Sequence, residues 1–451
     1  MPSIVLRSLA AAVLVAVVGA TAVAQKLPPI RPLGPVEHVS TELLGAVSSV
    51  RALPGGRVLV NDISGRRVVL FDATLSTVTV VADTTSATAN AYSSRAGGLF
   101  AYRGDSTLFV DPTSLSMFVI DGNGGVSRVM AIPRPDAAPW LIGGPGGTPG
   151  FDHQGRMVYR SPQPFRFPGP GQHGGPMVMP AMPDSAAIVR VDFPTRKLDT
   201  VAYVKTPKIV MNMTQDANGR MSVTSIINPM QIIDDWAVMA NGSVAIVRGR
   251  DYHVDWVQAD GTMSSSPKLP FAWRKLDDSS KIAFIDSTKA AMEKLREQAN
   301  AARAAGGSAP PILGPPDGGG AGGGMVVMRM GTELGAGGGG GPRPSGPAGG
   351  APANMQLAPL VFVSPSELPD YAPAFSGGSA RSDVDGNLWI RTSNVIAGGS
   401  VYDVVNAKGE LIDRVQVPAG RVISGFGAGG VVYMGVRDGT AGVRLEQARR
   451  P

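Results

Sequence analysis

The chain contains no cysteine, so neither a disulfide nor a thiolate metal site can form. Stability has to come from burial and backbone pairing. Histidine is almost as scarce. His38, His153, His173 and His253 are the whole set, and no two stand at the spacing of a metal site. Only 17% of residues are charged, and the bases are scattered without interleaved aromatics. That excludes a nucleic-acid face, which needs clustered cations beside stacking rings. The basic end Ala448-Arg449-Arg450-Pro451 reads as a solvated tail. There is no Gly-x-Ser-x-Gly elbow, and the Gly-rich runs after Gly318 lack the Lys-Ser/Thr of a phosphate loop. No serine has a clear base partner. Past Ala24 no apolar run approaches the roughly 20 residues that a membrane-spanning helix takes.

The apolar run that does exist is an export signal in form. Arg7 supplies the positive start, Leu9 to Val18 is unbroken apolar sequence, and Ala22-Val23-Ala24 is a small-x-small cleavage site. Residues 1–24 are expected to be removed, leaving a chain that begins at Gln25 and is secreted or periplasmic. No cysteine follows the signal, which excludes a lipidated N-terminus. Loss of the signal takes away Arg7 alone, from 41 Lys plus Arg to 40, against 35 acids. The balance stays mildly basic. After cleavage no membrane attachment is expected, and the chain reads as a monomer.

What is abundant is a short repeated unit. Its clearest copies are Gly56-Arg57-Val58-Leu59-Val60-Asn61-Asp62 and Gly386-Asn387-Leu388-Trp389-Ile390-Arg391. Each is a turn, an apolar run, a polar residue, a gap, and a second apolar run. One such unit has bare edges and a bare apolar face, so the units must stack into a closed ring of small sheets. Six units are expected, starting near Ala46, Leu99, Gly155, Trp236, Ala380 and Val422. Outer strands stop at proline, as in Ile132-Pro133, Leu269-Pro270 and Val417-Pro418, where no ladder donor is needed. The sixth unit shows only three strands. The alternating segment Pro35 to Thr41 is expected to supply its fourth and so close the ring.

Three stretches interrupt the repeat. Ser161 to Ser185 is rich in Pro, Gly and Met and is expected to be a mobile loop. In Thr206 to Asp235, Met211 to Thr214 and Met221 to Ile226 flank Asn218-Gly219 and predict an extra hairpin. The third runs from about 271 to 371. Ile285, Met292, Leu295, Ala299 and Ala302 form one stripe and predict a helix over 278–305, capped by Asp277 or Asp278. Residues 306–353 are mostly Gly, Pro and Ala and are expected to be disordered. The stripe is expected to pack on the propeller side.

The run Asp383-Val384-Asp385-Gly386-Asn387-Leu388-Trp389-Ile390-Arg391, preceded by Tyr371-Ala372-Pro373-Ala374-Phe375, resembles exported bacterial six-bladed β-propeller proteins of the NHL-like or TolB-like kind. Trp236-Ala237-Val238-Met239-Ala240-Asn241-Gly242 fits the same pattern one unit earlier. The resemblance covers about Val36 to Arg444 apart from the inserts. It implies an all-β propeller and leaves the activity open, because this fold hosts many.

Propeller sites gather around the central channel. The polar residues that close the Gly-x-apolar strand are Asp62 and Asp111 in the first two units, with Asn61 beside Asp62. In the other four they are Arg160, Arg248, Arg391 and Arg437. Converging at one mouth, they would suit an anionic ligand, since guanidinium pairs bidentately with carboxylate or phosphate. The competing reading is salt bridging between blades. The function expected is a binding or scaffolding module for a small anionic ligand or a protein partner, without catalysis and without a cofactor. The alternative is a metal-dependent lactonase, hydrolase or lyase like the gluconolactonase propellers, with calcium in the channel. Asp62 with Asp111 are candidate ligands for it, opposed by the neighbouring arginines. Asp152-His153 and Asp251-Tyr252-His253 read as turn residues, and Asp234-Asp235 as a loop facing water.

Overall fold

The structure is a computed structural model. It describes residues 26–86, 90–93, 97–144, 146–162, 183–208, 210–215, 221–304, 360–439 and 442–451. The export signal, most of the loop expected at 161–185, the turn Asn218-Gly219 and the stretch expected to be disordered lie outside the described residues.

Two short strands open the described chain, β1 (Ile30–Pro32) and β2 (Val36–Val39). Blade one follows as β3 (Val47–Ala52), β4 (Val58–Asp62), β5 (Arg67–Phe71) and β6 (Val78–Asp83). Blade two is β7 (Gly98–Ala101), β8 (Thr107–Asp111), β9 (Ser116–Ile120) and β10 (Val126–Ala131). Blade three is β11 (Gly150–Phe151), β12 (Met157–Arg160), β13 (Ser185–Val191) and β14 (Leu198–Lys205). The hairpin β15 (Val210–Gln215) and β16 (Met221–Ile227) leads to blade four: β17 (Asp235–Val238), β18 (Val244–Arg248), β19 (His253–Val257) and β20 (Met263–Ser265). The insert carries α1 (Asp278–Ala304) and β21 (Val361–Phe362). Blade five is β22 (Phe375–Ser382), β23 (Leu388–Ile396), β24 (Gly399–Val405) and β25 (Leu411–Pro418). Blade six is β26 (Arg421–Gly427), β27 (Val431–Asp438) and β28 (Gly442–Arg449).

Every blade is an antiparallel meander. The first strands of successive blades meet: β3 touches β26 and β7, and β11 touches β7 and β17, which in turn touches β22. These first strands therefore surround the axis. The N-terminal strand closes the ring as expected, with β2 completing blade six against β28, Val36 opposite Ala448 and Val39 opposite Glu446. The parallel pairing of β1 with β25 in blade five was not foreseen. Nor was β11, the short inner strand of blade three.

Each of the six blade interfaces holds its own apolar cluster. Leu59 and Leu53 meet Phe109 and Leu99 between blades one and two. Trp389 and Val404 meet Phe426 and Met434 between blades five and six. Val58 and Val60 meet Tyr433 and Leu445 at the closing interface between blades six and one. The remaining three interfaces are filled in the same way. Two-sided burial of this kind explains the unbroken apolar runs of the second strands.

The repeated turn has a local cause. Asp383 accepts the Asn387 backbone N–H at 2.7 Å and the Trp389 indole N–H at 2.9 Å. One carboxylate thus ties the turn to the buried ring that follows it. Gly386 stands at φ +88° and Gly242 at +78°, where a side chain is strained. A Cβ on Gly242 would also lie 2.4 Å from the His153 backbone nitrogen.

Helix α1 starts on Asp277, which accepts the Ser280 N–H at 2.7 Å. Met292 is buried, and Ile285 packs on a cluster of Met230, Leu276, Leu368 and Ala372. Its neighbour β21 joins β16 in a small seventh sheet.

Candidate functional site

The polar residues singled out from sequence are not on the inner strands. They close the second strands, one step out from the axis. Counting from the first paired residue of each second strand, the fourth positions include Asn61, Arg160 and Arg391. The fifth positions include Asp62, Asp111 and Arg248. Successive residues of a strand point to opposite faces, so the expected set divides in two.

The fifth-position residues are tied into the protein. Asp62 is fully buried and accepts the backbone N–H groups of Gly45, Ala46 and Gly65, each at 2.9 Å, with Arg67 at 3.2 Å. Asp111 accepts the Ser93 N–H at 2.8 Å and hydroxyls from Ser93 and from Ser114. Burial raises its carboxyl, but the Ser114 and Ser93 donors outweigh that and hold it below the usual range. Arg248 bridges Asp234 at 2.8 Å and Asp255 at 2.7 Å and donates to the Tyr203 carbonyl. Arg437 is exposed near the end of β27. Asp62, Asp111 and Arg248 organise turns and blade contacts instead.

The fourth-position residues differ. Arg160 and Arg391 are half-buried, and among the described residues neither has an ion pair. The Arg160 guanidinium carbon lies 4.5 Å from the centroid of the Trp140 ring, a cation–π contact. Its Nε is buried with no hydrogen-bond partner among the described residues, as is the Asn61 Oδ1. Burial pushes the Arg160 guanidinium down to about 10, opposed by the charge of Asp235. The backbone of residues 146–147 clamps this corner. Trp236 donates to the Gly146 carbonyl at 2.9 Å, and a Cβ on Gly146 would lie 2.9 Å from Arg160 Nη2.

Three further residues at the axis were missed from sequence. Asp235 does not face water in a loop. It opens the inner strand of blade four, is buried, and accepts the N–H groups of Ser379 at 2.6 Å and Ala380 at 2.8 Å from blade five. Burial raises it to about 6 despite those donors and Arg160. Arg51 and Arg381 occupy equivalent positions in inner strands β3 and β22, one residue from the last ladder pair. Burial lowers both guanidiniums. Arg51 feels the opposing charge of Asp105, and Arg381 feels Tyr402, Arg391 and Asp235. Asp235 thus acts electrostatically on both Arg160 and Arg381. The signal available in sequence was an arginine two residues before each Asp/Pro-Gly turn: Arg51 before Leu53-Pro54-Gly55 and Arg381 before Asp383.

Among the described residues no group of three or more His, Asp or Glu is placed to hold a metal ion. His253 stands on β19 rather than in a turn, between Asp251 at 2.7 Å and Asp255 at 3.2 Å. Asp255 is already paired with Arg248 and Ser265.

No family model and no curated protein matches the chain. Solved structures do. A gluconolactonase of Xanthomonas campestris is 11% identical, covers 94% of this chain and 99% of its own, and has a TM-score of 0.37. Regucalcin of Agrobacterium tumefaciens, a calcium-binding protein, is 10% identical over 94% of this chain and 98% of its own, with a TM-score of 0.37. The virginiamycin B lyase of Staphylococcus aureus is 8% identical over 92% of this chain and 98% of its own, with a TM-score of 0.35. The blades themselves, not these likenesses, define the architecture. The chain is a six-bladed β-propeller. Among the described residues no helix is long and apolar enough to cross a membrane.

Proposed function

We propose that the protein is an exported binding propeller whose channel takes a small anionic ligand, with Arg160 and Arg391 as its principal contacts. The observation that carries this is Arg160. A buried guanidinium N–H without an acceptor is unfavourable. Here one is stacked on Trp140 at the end of a second strand, its Nε without a partner among the described residues. A carboxylate would supply the missing acceptor in the bidentate geometry that guanidinium favours. Asp62, Asp111 and Arg248 serve turns and blade contacts rather than the ligand.

A metal-dependent lactonase, hydrolase or lyase is less well supported. Calcium wants six to eight oxygens, and the oxygens of Asp235 already accept three backbone N–H groups. Guanidiniums beside it would repel a cation.

The test is titration calorimetry with acetate, glutarate and tricarballylate. At least one should bind the wild type, and R160A should weaken it by about 10- to 100-fold, the worth of a hydrogen bond to a charged group. If no carboxylate binds, the reading fails.

A further inference from the structure

We propose that the groove between α1 and β21 binds residues 325–334 of the same chain, with their apolar side chains seated between the two elements and Arg329 and Glu333 paired to Asp286 and Lys289.

The groove is a cleft of about 300 Å³. Ile282 and Ile285 of α1 line one side, Leu360 and Phe362 line the other, and the exposed Asp286 and Lys289 complete it. The packed stripe of α1 lies elsewhere. Lys281, Thr288 and Met292 are buried, and Ile285 packs on the cluster around Leu276. Ile282 stands off that stripe and is 48% exposed. Asp286 and Lys289 follow it at i+4 and i+7, so the three form a second face of the helix. Packed protein leaves few voids larger than a water molecule, and an apolar-walled cleft of this size is suited to an occupant. In its small sheet β21 pairs with β16 alone among the described residues. Its other edge has unpaired backbone groups, the feature that takes up an added segment.

The course of the chain and its charges identify that occupant. Residues 305–359 lie outside the described residues and connect the end of α1 to Leu360, itself a wall of the groove. Their composition is mostly Gly, Pro and Ala. Met325-Val326-Val327-Met328 is the one run of four bulky apolar residues among them, and Met330 and Leu334 follow it. Methionine adapts to irregular gaps. The same stretch holds one base, Arg329, and one acid, Glu333. The groove presents one acid and one base, and neither Asp286 nor Lys289 has an ion pair among the described residues. The two sets of charges are complementary. At about 3.5 Å per extended residue, the chain between Leu334 and Leu360 reaches every part of the groove. Tethering also gives the segment a high effective concentration, an advantage over any free peptide.

Because the chain has no cysteine, introduced pairs report proximity without background. The experiment compares disulfide formation in full-length I282C/V327C and I282C/A348C, each checked by its melting curve, using non-reducing electrophoresis and mass spectrometry. Ala348 is nearer to Leu360 along the chain, so without docking its pair closes faster. The expected result is the opposite. The V327C pair should close at least about tenfold faster, within one chain, at a rate independent of protein concentration. K289C/T332C against K289C/A348C gives the same comparison at an exposed helix position if I282C does not fold. Adding K289E to I282C/V327C should slow closure about threefold, and adding E333K as well should restore it. If A348C closes as fast as V327C or faster, the groove does not hold this segment and the proposal falls. If the V327C cross-link joins two chains, the occupant comes from a second copy and the proposal is overturned.

Discussion

Arg31 and Asp413 form an ion pair across 382 positions of sequence, Nη2 to Oδ2 at 2.6 Å. The same carboxylate receives Arg450 at 3.2 Å. One nearly buried acid of blade five therefore anchors both ends of the chain, while β2 and β28 pair in blade six. The ring is fastened twice. D413A should lower the urea midpoint, because it leaves Arg31 and Arg450 without their shared acid. Removing residues up to Pro32 should lower the midpoint but keep the fold. Removing them up to Val39 should unfold blade six, because β28 then has a bare edge. Equal effects of the two truncations would contradict the double closure.

Arg248 and Arg160 should fail in opposite ways. R248Q strands Asp234 and Asp255, side chains only 11% and 10% exposed. It should cost about 2 to 3 kcal/mol of stability and leave anion affinity unchanged. R160A removes a cation that has no ion-pair partner among the described residues, so it should lose affinity with little loss of stability. Matching stability losses in the two variants would refute the assignment.

Gly146 tests the positioning of Arg160 without touching its charge. A Cβ there would meet Arg160 Nη2 at 2.9 Å and Cζ at 3.0 Å. The guanidinium is the flexible end of a side chain, so it should move rather than the backbone. G146A should keep the wild-type melting temperature and bind tricarballylate severalfold more weakly.

Asp235 should give binding and stability a pH dependence. Burial holds it up to about 6, above a free aspartate near 3.9. Between those values the folded chain binds more protons than the unfolded one. Its contribution to stability therefore falls as pH rises from about 4 to about 6. Asp403, also raised to about 6 by burial against Tyr252 and Arg414, acts with the same sign. Measured in urea at pH 4.5 and 6.5, D235N should gain on the wild type by up to about 2 kcal/mol as pH rises. Parallel curves would contradict this. Protonation also removes a negative charge beside Arg160 and Arg381. Sulfate, whose charge is constant in this window, should bind wild type more tightly at pH 5 than at pH 7.5.

The sequence carried the ring more clearly than the site. Second strands such as Val58–Asp62, and residues 388–390 of blade five, are buried on both faces, so they read as strong apolar runs. Inner strands bury less and bend around the axis. Gly150–Phe151 has two residues, and Phe375–Ser382 contains Gly377-Gly378 and a shifted register before Ala380. Their pattern is faint, so the second strand was taken as the inner one and the polar residues were assigned one step too far out. Asp235 was misplaced for a related reason. Two adjacent acids read as a solvated loop, and only the N–H groups of Ser379 and Ala380, distant in sequence, make one of them an inter-blade staple. The pairing of β1 left no local trace, being three residues that end in proline.

The most direct test is a crystal structure of the protein grown with tricarballylate. The account expects density for a bound acid within hydrogen-bond distance of Arg160 Nε, with Trp140 still beneath the guanidinium. Ordered water alone at that nitrogen, or Arg160 turned to a protein carbonyl at saturating acid, would contradict it.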